Sequence, residues 1–135
     1  MQVVQDMMSD CLEVVGPEAS LRDVLKTMNH TGYRHIPVVE NSRLIGIITD
    51  RDIRLAVNSP VVEDSIFTSR EGVLDELKVQ ECMTPDPKCV TPDTPLRQVA
   101  EMLALNKFGA MPVVENDRLV GIISYIDFLK HYAAT

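Results

Sequence analysis

Tryptophan is absent from this 135-residue chain, and its aromatic residues are only three tyrosines and three phenylalanines. Recognition of single-stranded nucleic acid stacks successive bases on aromatic rings, and too few are present here to build such a surface. Positive charge is also short: 13 Lys and Arg stand against 20 Asp and Glu, for a net charge of -7. That balance disfavours nonspecific attraction to nucleic acid or anionic lipid, so an anionic ligand must be held by local geometry. The three cysteines, Cys11, Cys82 and Cys89, are odd in number and lack C-x-x-C spacing, so neither a disulfide framework nor a zinc ribbon is indicated. No apolar run approaches the roughly 18 residues of a membrane span. The opening MQVVQDMMSD has neither the basic flank nor the apolar stretch of a signal peptide. The expectation is a soluble, cytoplasmic protein with reduced thiols and no nucleic acid or membrane among its partners.

What is present is written twice. Val4 to Val57 aligns without a gap on Val79 to Tyr132, and about a third of the roughly 54 pairs are identical, which marks an internal duplication. VQDMM answers VQECM, PVVENSRLIGII answers PVVENDRLVGII, and GIITDRDI answers GIISYIDF. The repeats are taken as residues 1–57 and 79–135, joined by a connector over 58–78 whose GVLDELK has the look of a short helix.

In each repeat a helix is expected with one buried face: Leu21, Val24, Leu25 and Met28, and Leu96, Val99, Ala100 and Leu103, follow i, i+3, i+4, i+7. Thr94 and Pro95 read as N-cap and first helical residue; Ala19 and Ser20 occupy those slots in the first copy. Two strands rich in Val and Ile follow, joined at Asn41-Ser42 or Asn116-Asp117 as a hairpin. A second helix carries Ile53, Ala56 and Val57, or Phe128, Leu129 and Tyr132. With a short strand at Leu12 to Val15, or Lys88 to Val90, the unit is β-α-β-β-α. The fold class is α+β (mixed α/β), two such repeats packed about a pseudo-twofold axis, because neither could bury its strand faces alone.

Thr49 with Asp52, and Ser124 with Asp127, stand where a strand passes into the second helix. Such a pair forms a capping box. A helix N-terminus also offers amides to an anion, and a hydroxyl there donates to phosphate. A carboxylate one turn on accepts from the vicinal hydroxyls of a ribose. Both roles stay open on the residues alone. Catalysis is not expected: His35, Cys82 and Cys89 assemble neither a nucleophile with its base and orienting group nor a set of metal ligands. Cys82 aligns with Met7 and Cys89 with Val14, so core packing is expected of each, and the seven methionines are expected as core filler.

The doubled pattern of M-[ST], V-x-P, P-V-V and G-I-I-[TS]-x-x-D resembles a tandem pair of CBS (cystathionine-β-synthase) domains, a Bateman module. TDRDIRLAV and the polar connector are also similar to small stand-alone CBS-pair proteins linked to acetoin utilisation. The resemblance implies a non-catalytic, energy-sensing regulatory module that binds AMP, ADP, ATP or S-adenosylmethionine in clefts between the repeats and signals to a protein partner. It implies that Thr49 and Ser124 face phosphate and that Asp52 and Asp127 hold ribose. It places adenine near Tyr33, Arg34, His35, Ile36 and Pro37, and near Phe108, Gly109, Ala110, Met111 and Pro112. Cys11 and Gly16, with Asp86 and Thr91, complete the implied sites. A homodimer is implied as well. Arg34, His35, Arg51 and Arg54 in the first copy stand against Gly109, Ala110, Ile126 and Leu129 in the second, so unequal sites are expected, with cationic donors favouring a charged tail in one. The alternative is a ligand-free dimerisation or interaction module whose loops are only caps.

Overall fold

The structure is a computed structural model and describes residues 2–10, 13–58 and 70–134. Helix α1 (Leu21–Thr31) leads to strands β1 (His35–Glu40) and β2 (Arg43–Thr49), then α2 (Asp50–Val57), α3 (Arg70–Glu76), α4 (Val79–Cys82) and β3 (Thr84–Pro85). The second copy gives α5 (Leu96–Asn106), β4 (Ala110–Glu115), β5 (Arg118–Ser124) and α6 (Tyr125–Ala134).

Both expected hairpins form. Asn41 and Ser42 take φ 52° and 66°, and Asn116 and Asp117 take 52° and 64°, the left-handed pair that a type I′ turn requires. Among the described residues the first strand of each copy is shorter than expected. Leu12 lies outside the described residues, and the pairing reduces to one parallel bridge each, Val15 on Val38 and Val90 on Val113. The bridges lie beside Pro37 and Pro112, whose carbonyls accept from the Val15 and Val90 amides at 3.1 and 3.0 Å.

The chain divides into two compact units, Glu13–Asp86, and Met1–Leu12 with Pro87–Thr135. They are out of step with the sequence repeats because the leading segments are exchanged. Val4 is wholly buried in the core of Val99, Leu103, Met111, Val113 and Ile123, whereas Val79 is wholly buried in the core of Leu21, Val24, Met28, Ile36, Val38 and Ile48. Backbone bonds repeat the exchange: the Val4 amide donates to the Thr94 carbonyl at 2.9 Å and the Val79 amide to the Ala19 carbonyl at 2.8 Å. Asp6 accepts from the Gln2 and Val3 amides, and Glu81 from the Lys78 amide. The recurrence of V-Q-[DE] thus has a local cause, a buried valine and a carboxylate that caps its turn.

The same exchange explains the glycine of G-I-I. A Cβ on Gly46 would collide with the Met83 sulfur and lie 3.0 Å from the Thr84 carbonyl oxygen, and one on Gly121 would lie 2.8 Å from the Met8 sulfur and 2.9 Å from the Ser9 carbonyl oxygen. Gly121→Val is therefore expected to destabilise by about 1–3 kcal/mol through overpacking, read as a lower urea midpoint, whereas valine at the exposed Gly16, with open space around it, should change little.

Three expectations are corrected. Ser20, not Ala19, caps α1, accepting from the Asp23 amide at 3.1 Å. Pro95 itself is the N-cap of α5, and the Thr94 hydroxyl accepts from the Thr91 amide instead. Ala100, expected on the buried face of α5, is exposed; Leu129 and Tyr132 on α6 are exposed too. In the first unit α3 packs on α1 and α2 and brings buried Val73 with Leu74; no described helix of the second unit corresponds to α3.

Candidate functional site

Thr49 ends β2 and caps α2, so strand pairing fixes its backbone while the helix fixes its side chain. Its hydroxyl accepts from the Asp52 amide at 3.1 Å, and Asp52 Oδ2 accepts from the Thr49 amide at 3.0 Å. The capping box is thus formed in the first copy. The Asp50 amide is also engaged, by the Arg34 carbonyl at 3.3 Å, so fewer helix-terminal amides are free for an anion than the motif alone suggests. In the second copy Asp127 Oδ2 accepts from the Ser124 amide at 2.8 Å, but the Ser124 hydroxyl lies 3.4 Å from that same oxygen. The Tyr125 amide donates to the Gly109 carbonyl. All four side chains are half-buried. Each aspartate uses Oδ2 alone, and Oδ1 makes no bond to a described residue. Oδ1 is available to an outside hydroxyl.

Around the first loop, in the unit Glu13–Asp86, stand Tyr33 and Arg34, both exposed, half-buried His35, and buried Ile36 and Pro37. Asp86, with φ 45°, joins this unit by donating its amide to the Ile45 carbonyl, next to the pairing of Thr84 and Pro85 on β2. Gly16 is in this unit too, next to the Val15 bridge and exposed. Around the second loop stand half-buried Phe108 and Gly109, and buried Ala110, Met111 and Pro112; Thr91 lies in this unit, exposed. Cys11 lies outside the described residues. The placement of Asp86 in the first copy's unit follows from segment exchange, which no single-copy motif signals.

The loops differ electrostatically. Arg34, Arg51 and Arg54 are exposed around the first. Arg54 is 3.4 Å from Asp50, an exposed pair that contributes little to stability. An open groove of about 440 Å³ lies between α1, α2 and α3, lined by Leu25, Ile53, Val57 and Leu74 with Arg34, Asp50 and Arg54. Neither Thr49 nor Asp52 lines it, although Arg34, Asp50 and Arg54 beside the loop do. Burial pushes the His35 imidazole below its ordinary value of 6.5, against the opposing pull of Asp50 and Asp52. A depressed folded value stabilises the protein above the unfolded value and loses that contribution as pH falls through the folded one. His35→Gln is accordingly expected to flatten the decline in melting temperature between about pH 7 and about pH 5.

The thiols are not activated. Burial raises Cys82, with Glu81 and Asp52 adding to it, and burial raises Cys89. Cys82 packs against the first core as expected. Cys89 is exposed, contrary to the core role expected of it, with its sulfur 3.2 Å from the Pro87 carbonyl oxygen. Its aligned partner Val14 is also exposed. Met28 and Met111 are buried in the cores, and Met7, Met8, Met83 and Met102 pack against them. Among the described residues no three His, Cys, Asp or Glu are placed to hold a metal, and no helix is long and apolar enough to cross a membrane.

Residues 4–59 and 79–134 each match the family model of the CBS domain. The chain belongs to the CBS domain family. As a CBS pair it is similar to protein MJ1225 of Methanocaldococcus jannaschii, 34% identical over 98% of this chain and 48% of that protein. The crystal structure of MJ1225 matches with a TM-score of 0.88, 32% identity, and 97% and 48% of the two chains covered; this chain therefore spans about half the length of that relative. A Vibrio cholerae protein assigned to acetoin utilization (AcuB) matches with a TM-score of 0.83 at 30% identity, over 99% of this chain and 92% of that one. CBSX2, solved in complex with AMP, matches with a TM-score of 0.80 at 27% identity, over 99% and 98%. The α+β fold expected from the duplication is that of CBS pairs.

Proposed function

We propose that this CBS pair is a regulatory sensor, not a catalyst, that binds an adenosine derivative (AMP, ADP, ATP or S-adenosylmethionine) at its repeated loops and passes the occupied state to a protein partner. Thr49 and Ser124 take the phosphate side, Asp52 and Asp127 the ribose, and the segments Tyr33 to Pro37 and Phe108 to Pro112 the base. Gly16, Asp86 and Thr91 contribute at the margins, and Cys11 is assigned there by resemblance alone. The observation that carries the proposal is that both half-buried aspartates keep Oδ1 unengaged by the cap. The AMP complex of CBSX2 supports the ligand class. Binding can signal only through a difference in affinity between two states of the module.

A second reading, a ligand-free dimerisation or interaction module, is favoured by one observation: Tyr125, Ile126, Leu129 and Tyr132 on α6 are exposed. A homodimer through this helix is compatible with either function. Thermal melts with AMP, ADP, ATP, S-adenosylmethionine and Mg²⁺ separate them. A ligand at a hundred times its dissociation constant adds about 2.7 kcal/mol, so at least one adenylate should raise the melting temperature by several degrees. A panel without any shift leaves the interaction module.

A further inference from the structure

The two loops differ at the residue across the sheet from the hydroxyl. His35 is the strand partner of Thr49, and Ala110 is the partner of Ser124. Directly opposed residues of an antiparallel pair carry their side chains on one face, so the imidazole and the Thr49 hydroxyl share theirs. The ring is half-buried and makes no hydrogen bond to a described residue. The charged groups that act on it are Asp50 and Asp52, both on α2. From α4, Glu81 and the Cys82 thiol lie within electrostatic reach of one another, and Asp52 also acts on Cys82. Burial disfavours the charged ring, against the pull of the two carboxylates. A phosphate seated at Thr49 adds negative charge on the same face and offers the acceptor that a protonated ring needs. The second loop has a methyl group in that place, and only its anion changes on binding.

We infer that His35 couples occupation of the Thr49–Asp52 loop by a phosphate-bearing adenylate to the uptake of one proton from solvent, so that this loop binds more tightly as pH falls while the Ser124–Asp127 loop does not gain in this way. The inference rests on the adenylate function proposed above and assigns to one site a regulation that the other lacks.

The chain has only three histidines, His30, His35 and His131, so their imidazole resonances can be titrated individually by NMR, with His35→Gln giving the assignment. Saturating AMP is expected to raise the His35 titration midpoint by about one pH unit, and adenosine, which lacks the phosphate, to leave it in place. The ratio of wild-type to His35→Gln affinity for AMP should then grow toward about tenfold between about pH 8 and about pH 5.5. Using the ratio cancels the ionisation of the AMP phosphate itself, which falls near pH 6. If AMP shifts the Thr49 and Asp52 amides but neither moves the His35 midpoint nor changes the ratio with pH, proton coupling is wrong and the nucleotide function stands. If AMP leaves those amides unshifted, both fall together.

Discussion

Replacing Asp52 by alanine is expected to weaken AMP binding at the first loop by between about tenfold and a hundredfold, and replacing Asp127 to do the same at the second. Hydrogen bonds to a charged group are worth about 1.5–3 kcal/mol each, and 1.4 kcal/mol is a factor of ten in affinity. The aspartate also has a structural duty, since Oδ2 accepts from the Thr49 or Ser124 amide, so the variant is expected to lose about 1 kcal/mol of stability as well. Two measurements keep the effects apart: calorimetric titration with AMP gives the affinity, and a melt without ligand gives the cap. Asp52→Asn retains an acceptor for the cap but not the charge, so it should recover stability while binding AMP less well than wild type. A Asp52→Ala variant that melts lower yet binds AMP as wild type does would reduce the motif to a helix cap.

The largest effect on stability is expected from Val4→Asp. Val4 belongs to the first repeat by sequence but is wholly buried in the core formed by the second, so the substitution places an unpaired carboxylate among Val99, Met111 and Ile123. An uncompensated buried charge ranks among the few changes that cost more than about 3 kcal/mol. For a chain of this size that corresponds to a fall in melting temperature of roughly 10 °C or more. Gln5→Glu, on a neighbouring exposed residue, adds the same charge and should be nearly neutral. Hydrogen exchange locates the damage: the amides of Ser9 and Ile122, which bond each other's carbonyls at 2.9 and 3.0 Å, should lose protection in the aspartate variant. Equal melts for Val4→Asp and Gln5→Glu would mean that the leading segment is not docked in this core.

The parts of the fold set by local chemistry were readable from the chain. Period 3.6 marked the inner face of α1, where Leu21, Val24 and Met28 are wholly buried, and the need for two left-handed residues marked both hairpins. The hydroxyl and aspartate of the loops were legible as a pair because capping and ligand binding ask for the same residues in the same place. Segment exchange was not legible. VQDMM and VQECM are alike in residue type, so their pattern does not tell which copy's core each segment enters. Leu129 is exposed like its counterpart Arg54, whereas Tyr132 is exposed although its counterpart Val57 packs inward in a unit that includes α3; helical spacing cannot report whether a third helix is at hand. Alignment of Cys89 with Val14 does not report burial, because Val14 is itself 45% exposed.

The central claim is that each aspartate holds the sugar of a nucleotide whose phosphate meets the hydroxyl residue three positions earlier. A crystal structure of the wild-type chain grown with AMP tests it most directly. The account predicts ribose hydroxyls within hydrogen-bonding distance of the Asp52 or Asp127 carboxylate, and phosphate oxygens at Thr49 or Ser124. AMP bound elsewhere, or both loops holding only their own capping bonds at saturating AMP, would contradict it.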